Sequence, residues 1–361
     1  MKGENLKTPK RLQIGDKVRV ISPSSGILGE PFAKHELCIG TAQLRSFGLE
    51  VDFGENSLKG IEFTKQHPDK RANDIKEAFM DDSVKAIICA IGGDDTFRTV
   101  PFLLEDKEFV NAVKNNPKIF VGFSDATVNH FMFYQLGLQT FYGPSFLTDF
   151  AELSGELLPY TRKSFENFFC PCHNLEILSS PQWFEERKSF GAEQVGKDRV
   201  AHHEEHGYET IFGEGVVAGR LLGGCIESIY ELVSGDRYPE QKLVNEKFQI
   251  MPKLNQWKDK IFFFETSEEK PTPKRLSKIL RTLEDYGIFD AASGVIIGKP
   301  QDETYYEEYK ELYAALAKKH QVPTLYNINF GHAFPRCVLP YGAELEIDFD
   351  RRRLTLATGT F

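Results

Sequence analysis

Positive charge is scarce in this 361-residue sequence: 44 Lys and Arg stand against 53 Asp and Glu, a net charge of −9. No broad cationic face is available for a phosphate backbone, so nucleic acid is not an expected partner. Long apolar runs are missing too, none approaching the ~20 residues of a membrane span, and Met1 to Lys17 carries Lys and Arg without the apolar core of a secretion signal. The expectation is a cytoplasmic protein with no membrane partner. Six scattered cysteines (Cys38, Cys89, Cys170, Cys172, Cys225, Cys337), several inside apolar strand-like runs, argue for reduced thiols packed as small hydrophobes and against a disulfide framework. Cys170-Pro171-Cys172-His173 has a one-residue spacing and no second pair to complete a zinc site. Repeats, heptads and low-complexity tracts are also absent. What remains is 41% hydrophobic and 27% charged, with 30 Phe, the composition of a packed globule, and its length favours two domains.

From Lys17 to about Ser145, short β-rich runs alternate with amphipathic helical ones. Strands are expected at Val18–Ser22, Leu49–Phe53, Val84–Ile91, Lys118–Gly122 and Gln139–Tyr142, with helices at Ala33–Phe47, Asp69–Met80, Thr96–Leu104 and Ala126–Leu136. This is the pattern of an open α/β domain with a parallel sheet, whose functional loops leave the carboxyl ends of the strands. Residues 1–168 are assigned to it. Residues 169–213, rich in Pro, Ser and charge, read as a linker with active-site loops. Residues 214–361 read as a C-terminal mixed α/β domain: strand Val216–Leu222, helix Cys225–Val233, strand Lys260–Phe264, helix Pro273–Tyr286, strand Gly294–Ile297, helix Tyr305–Lys319 and a closing hairpin.

Gly122-Phe123-Ser124-Asp125-Ala126 presents a serine between a strand and a helix, with small residues at both flanks. That is the arrangement of a nucleophile elbow, one residue away from G-x-S-x-G, and also that of a simple helix N-cap. A nucleophilic serine needs a base and an orienting acid. Glu265 closes the apolar run Ile261-Phe262-Phe263-Phe264, and His332 follows Asn329-Phe330-Gly331. The order Ser124, Glu265, His332 is that of α/β hydrolases, although a capping Glu and a loop His would give the same string. Gly92-Gly93-Asp94-Asp95-Thr96 follows a strand directly, so its N–H groups, with that of Asp125, suit an oxyanion hole. The same loop resembles that of NAD kinases and phosphofructokinases, which keeps a phosphotransferase in view; a non-catalytic binding protein is the third possibility. His202-His203-Glu204-Glu205-His206 fits an inverted zinc-peptidase string, but its flanks lack the apolar periodicity of a stable helix. No metal or cofactor is expected. Trp183 stands in the irregular stretch and reads either as a lid aromatic that stacks on a substrate ring or, more commonly for such a residue, as ordinary packing.

Taken together, Gly122 to Thr127, the Gly92-Gly93 loop, Phe262-Phe263-Phe264-Glu265 and Gly331-His332-Ala333-Phe334-Pro335 resemble the serine LD-carboxypeptidase family. The resemblance extends to Gly15 through Ser25, Gly219 through Gly224 and Pro340-Tyr341-Gly342. It implies a metal-independent hydrolase in which Ser124 is the nucleophile, His332 the base and acid and Glu265 its orienter, with Asp125, Gly93 and Gly92 around the oxyanion. It also implies a homodimer. One branch of the family trims murein peptides and usually carries Arg-Gly-Gly-Tyr-Gly in its glycine loop. Ile91-Gly92-Gly93-Asp94-Asp95 and Phe141-Tyr142-Gly143-Pro144 look more like the microcin C immunity branch, whose substrates are aminoacyl-nucleotides and in which Trp183 would face adenine. Cys225 departs from the Asn common in the family after Gly-Gly.

Overall fold

The computed structural model describes residues 6–171 and 173–361, so Cys172 of the Cys-Pro-Cys stretch lies outside the described residues. Two sheets organise the chain. The first holds five parallel strands, Lys17–Ile21, Glu50–Phe53, Val84–Cys89, Ile119–Gly122 and Phe141–Tyr142, with Leu339–Pro340 added as an antiparallel edge. In space, 50–53 and 84–89 lie on opposite sides of 17–21, so the winding direction reverses there. Loops leaving strand ends at such a reversal enclose a crevice. Ile119–Gly122 is buried throughout, as expected for β-branched and aromatic residues in a strand covered on both faces. The helix Lys107–Asn115 goes unnoticed in the sequence. It is short, begun by Asp106, whose side chain accepts from the N–H groups of Glu108 and Phe109, and held by buried Phe109 and Val113.

The second sheet has eight strands. Val216–Cys225, Lys260–Glu265, Gly294–Gly298 and Thr324–Ile328 run parallel at its centre, between antiparallel neighbours. Phe262, Phe263 and Phe264 are fully buried here, which explains the unbroken apolar run. The helix Pro273–Tyr286 has Pro at its start, Thr272 accepting from Arg275 N–H at 3.3 Å, and Gly287 at φ +89° to end it. The stretch 169–213 differs from its reading as linker and loops. Leu175–Ile177 and Glu209–Phe212 form the two edges of this sheet, and Gln182–Phe184 pairs with Ala201–His203. Strands of three or four residues carry too little alternation to read against a Pro- and charge-rich background; the partner strand decides them. No helix among the described residues is long and apolar enough to cross a membrane.

Candidate active site

Ser124 sits at φ +64°, a left-handed conformation costing a non-glycine residue on the order of 1–3 kcal/mol. It begins a single 3₁₀ turn, Ser124–Ala126, that feeds the helix Thr127–Gln135. A strained serine between strand and helix is the geometry of the nucleophile elbow. Two hydrogen bonds hold it: Ser124 N–H donates to Tyr142 Oη at 3.1 Å, and Thr127 Oγ1–H donates to Ser124 O at 2.7 Å. Gly92 passes so close that a Cβ there would stand 2.8 Å from Ser124 Oγ. The Asp125 carboxylate turns away and accepts from Ser24 Oγ at 2.7 Å and Thr96 N–H at 2.8 Å, joining the elbow to the glycine loop. Burial pushes Asp125 up to about 6 despite those bonds. Its backbone N–H, at a helix start, and that of Gly93, in the glycine loop, have no backbone acceptor among the described residues.

Glu265 ends its strand fully buried and receives three hydrogen bonds, from Tyr142 Oη at 2.6 Å, His332 N–H at 3.1 Å and His332 Nδ1 at 2.8 Å. Three donors offset the cost of burying a carboxylate. The same bonds fix the His332 ring, whose edge meets Phe123 at 4.9 Å between centroids. The other ring nitrogen, Nε2, lies 2.8 Å from Glu268 Oε2. Burial pulls the imidazole down, but Glu265 and Glu268 together more than offset it and carry His332 up to about 10. In this state His332 is an imidazolium, and Glu268 holds the nitrogen that Ser124 would need. Cys225 Sγ shares the neighbourhood of Glu265 and His332; burial, then Glu227 and Glu265, push its thiol well up, so it stays neutral beside a hydrogen-bonded pair.

Two cavities meet at Ser124. The larger, about 460 Å³, runs between Gly92, Phe123, His332 and Phe334 toward Phe32 and Phe190. The smaller, about 50 Å³, is lined by Cys225, Glu227, Glu231, Glu268 and Glu269, with Arg237 the basic side chain among its walls. Ser124, Gly93 and Glu268 border both. Within the glycine loop, Asp95 pairs with Arg71 at 2.6 Å and Asp94 with Tyr238 Oη at 3.1 Å, while Thr96 Oγ1 donates to Asn129. These side chains are committed to the protein rather than to phosphate and metal. The histidine cluster is dispersed: His202 stacks on Trp183, Glu204 meets Lys299 at 3.0 Å and His206 stacks on Tyr306. Trp183 is buried against His202 and is not among the residues lining either cavity. Tyr142, Glu268 and Glu36 are the site residues that sequence reasoning passes over. Tyr142 closes the expected strand Gln139–Tyr142, Glu36 falls inside the expected helix Ala33–Phe47, and nothing in the local pattern singles out Glu268.

Residues 18–143 match the LD-carboxypeptidase N-terminal domain and residues 218–347 the LD-carboxypeptidase C-terminal domain. The chain belongs to the LD-carboxypeptidase family. It is a serine hydrolase by that membership, and the phosphotransferase reading of the glycine loop falls away. It is 25% identical over 361 residues to the microcin C7 self-immunity protein MccF of Escherichia coli, covering 96% of this chain and 94% of that one. Identity to a probable murein peptide carboxypeptidase of Bacillus subtilis is 26% over 360 residues, covering 97% and 94%. The crystal structure of an MccF-like protein from Streptococcus pneumoniae in complex with AMP superposes with a TM-score of 0.90 at 40% identity, covering 95% of this chain and 98% of that one.

Proposed function

We propose that this family member hydrolyses the amide-type bond joining an aminoacyl group to a nucleotide, with Ser124 as nucleophile, His332 as base and acid and Glu265 as its orienter. The observation that carries the reading is the chain of bonds Ser124 N–H to Tyr142 to Glu265 to His332, which ties one strained serine to one buried acid and base. When the imidazolium gives its Nε2 proton to the Glu268 carboxylate and Glu268 moves aside, the neutral His332 accepts the Ser124 proton as Oγ attacks the carbonyl carbon. The N–H groups of Asp125 and Gly93 receive the developing oxyanion, each such donor contributing about 2.7–4 kcal/mol. His332 then gives its proton to the leaving nitrogen, and water, activated by the same imidazole, clears the acyl-enzyme.

The two cavities suit the two halves of such a substrate. The acid-lined pocket offers carboxylates to an aminoacyl ammonium, and the larger, aromatic one offers room for a nucleoside. The complex of the Streptococcus pneumoniae relative with AMP supports a nucleotide as one half of the substrate. The working form is taken to be a cytoplasmic homodimer on the family resemblance, which light scattering on the purified chain tests. The substrate class is tested by giving the enzyme an aminoacyl-adenylate amide and, separately, a D-alanine-terminated murein tetrapeptide, with products followed by mass spectrometry. Release of the nucleotide half supports the reading. Release of D-alanine alone replaces it with murein-peptide trimming by the same serine.

A further inference from the structure

One carboxyl in the larger cavity has no partner. Glu36 lies in the first turn of the helix Lys34–Ser46, only 5% exposed, and it lines the cavity that opens from Ser124. It makes no hydrogen bond or ion pair among the described residues, whereas Glu186 in the same wall meets Arg199 at 3.0 Å and Glu268 meets His332. The helix dipole favours a first-turn acid only weakly, and burying an unpaired carboxylate costs more than that gain. Burial accordingly pushes Glu36 up to about 7. The fold alone does not justify an acid there.

The surroundings indicate what would. Phe32 and Phe190, 62% and 44% exposed, present aromatic surface at the same cavity. The loop carrying Phe190 is docked beside Glu36, because its carbonyl oxygen bonds His35 Nε2 at 2.9 Å. A largely apolar slot with exposed rings and an unpaired carboxyl at its wall fits a flat heterocycle carrying an N–H on its edge. A volume of about 460 Å³ is within the range of small-molecule sites.

We infer that Glu36 reads the amino edge of a purine in the leaving nucleotide, accepting a hydrogen bond from its exocyclic N–H while Phe32 and Phe190 cover the ring. This rests on the aminoacyl-nucleotide reading of the substrate. Calorimetric titration of the full-length chain with AMP and with purine riboside 5′-monophosphate, which lacks only the amino group, isolates the contact. Wild type prefers AMP by about tenfold to a hundredfold, the worth of one hydrogen bond to a charged group. Glu36→Gln keeps a preference, since its amide oxygen accepts the same N–H. Glu36→Leu loses it, and melts no lower than wild type because an unpaired buried carboxyl has been removed. Equal binding of the two nucleotides by wild type, or an undiminished preference in Glu36→Leu, overturns the role of Glu36 and leaves the nucleotide reading standing. Failure of wild type to bind either nucleotide overturns both.

Discussion

Glu268 is the residue whose replacement most sharply separates this account from a generic serine hydrolase. Its carboxylate lies 2.8 Å from His332 Nε2. Coulomb's law brackets the pair between about 1.5 kcal/mol at the dielectric of water and about 6 kcal/mol at an effective value of 20. Glu268 is 61% exposed on its side chain, so solvent screening places the interaction near the lower bound. About 1.4 kcal/mol corresponds to one pH unit. The carboxylate stabilises the imidazolium, so Glu268→Gln lowers the His332 pKa, and the neutral base emerges at lower pH. The acid limb of kcat/KM, which reports the free enzyme, moves down by about one unit. At pH 7, below the limb, the fraction of His332 able to act as base rises about tenfold. A kcat/KM profile from pH 6 to 10 for wild type and variant reads this directly. A limb that stays in place, or a uniform fall in kcat/KM at every pH, refutes the reasoning and makes Glu268 a substrate contact that leaves His332 untouched.

The remaining predictions concern the support around Ser124. Gly92→Ala places a methyl 2.8 Å from Ser124 Oγ, so kcat falls by about a hundredfold, the usual cost of displacing a reacting group by an ångström, while circular dichroism shows the fold retained; near-normal turnover contradicts the close approach. Tyr142→Phe removes the hydroxyl that joins Ser124 N–H to Glu265 but keeps the buried ring. It lowers kcat roughly tenfold with KM little changed, about the worth of one charged hydrogen bond; a change confined to KM shows that the hydroxyl serves substrate binding instead.

Legibility of the sequence follows the length scale of each signal. Most of the parallel strands and the helices Lys34–Ser46, Pro68–Met80, Pro273–Tyr286 and Tyr306–His320 stand out because burial on both faces leaves unbroken apolar runs and buried helix faces leave a 3.6-residue period. The helix Pro239–Phe248 and the strand Thr324–Ile328 do not. Ser124, Glu265 and His332 stand out because each ends an apolar run with a polar residue that burial makes costly. Tyr142 does not, since a tyrosine closing a strand needs no explanation until its hydroxyl is seen to reach Glu265, 123 residues away. Glu36 and Glu268 are hidden for the opposite reason: acids are common on helix starts and loops, and only the fold buries one and swings the other onto His332. Trp183 attracts attention as an aromatic in an irregular stretch, yet its ring is taken up by His202, a contact that no local pattern encodes. The short strands at 175–177 and 209–212 are set by the sheet they join.

The proposed mechanism passes through a covalent acyl-enzyme on Ser124. Acid quenching during turnover of an aminoacyl-adenylate amide, then proteolysis and peptide mass mapping, locates the acyl group. An adduct is expected on the peptide containing Ser124 and is absent from Ser124→Ala, whose turnover falls by about 10⁴-fold or more. Turnover that persists in Ser124→Ala, or an adduct on another side chain, contradicts it.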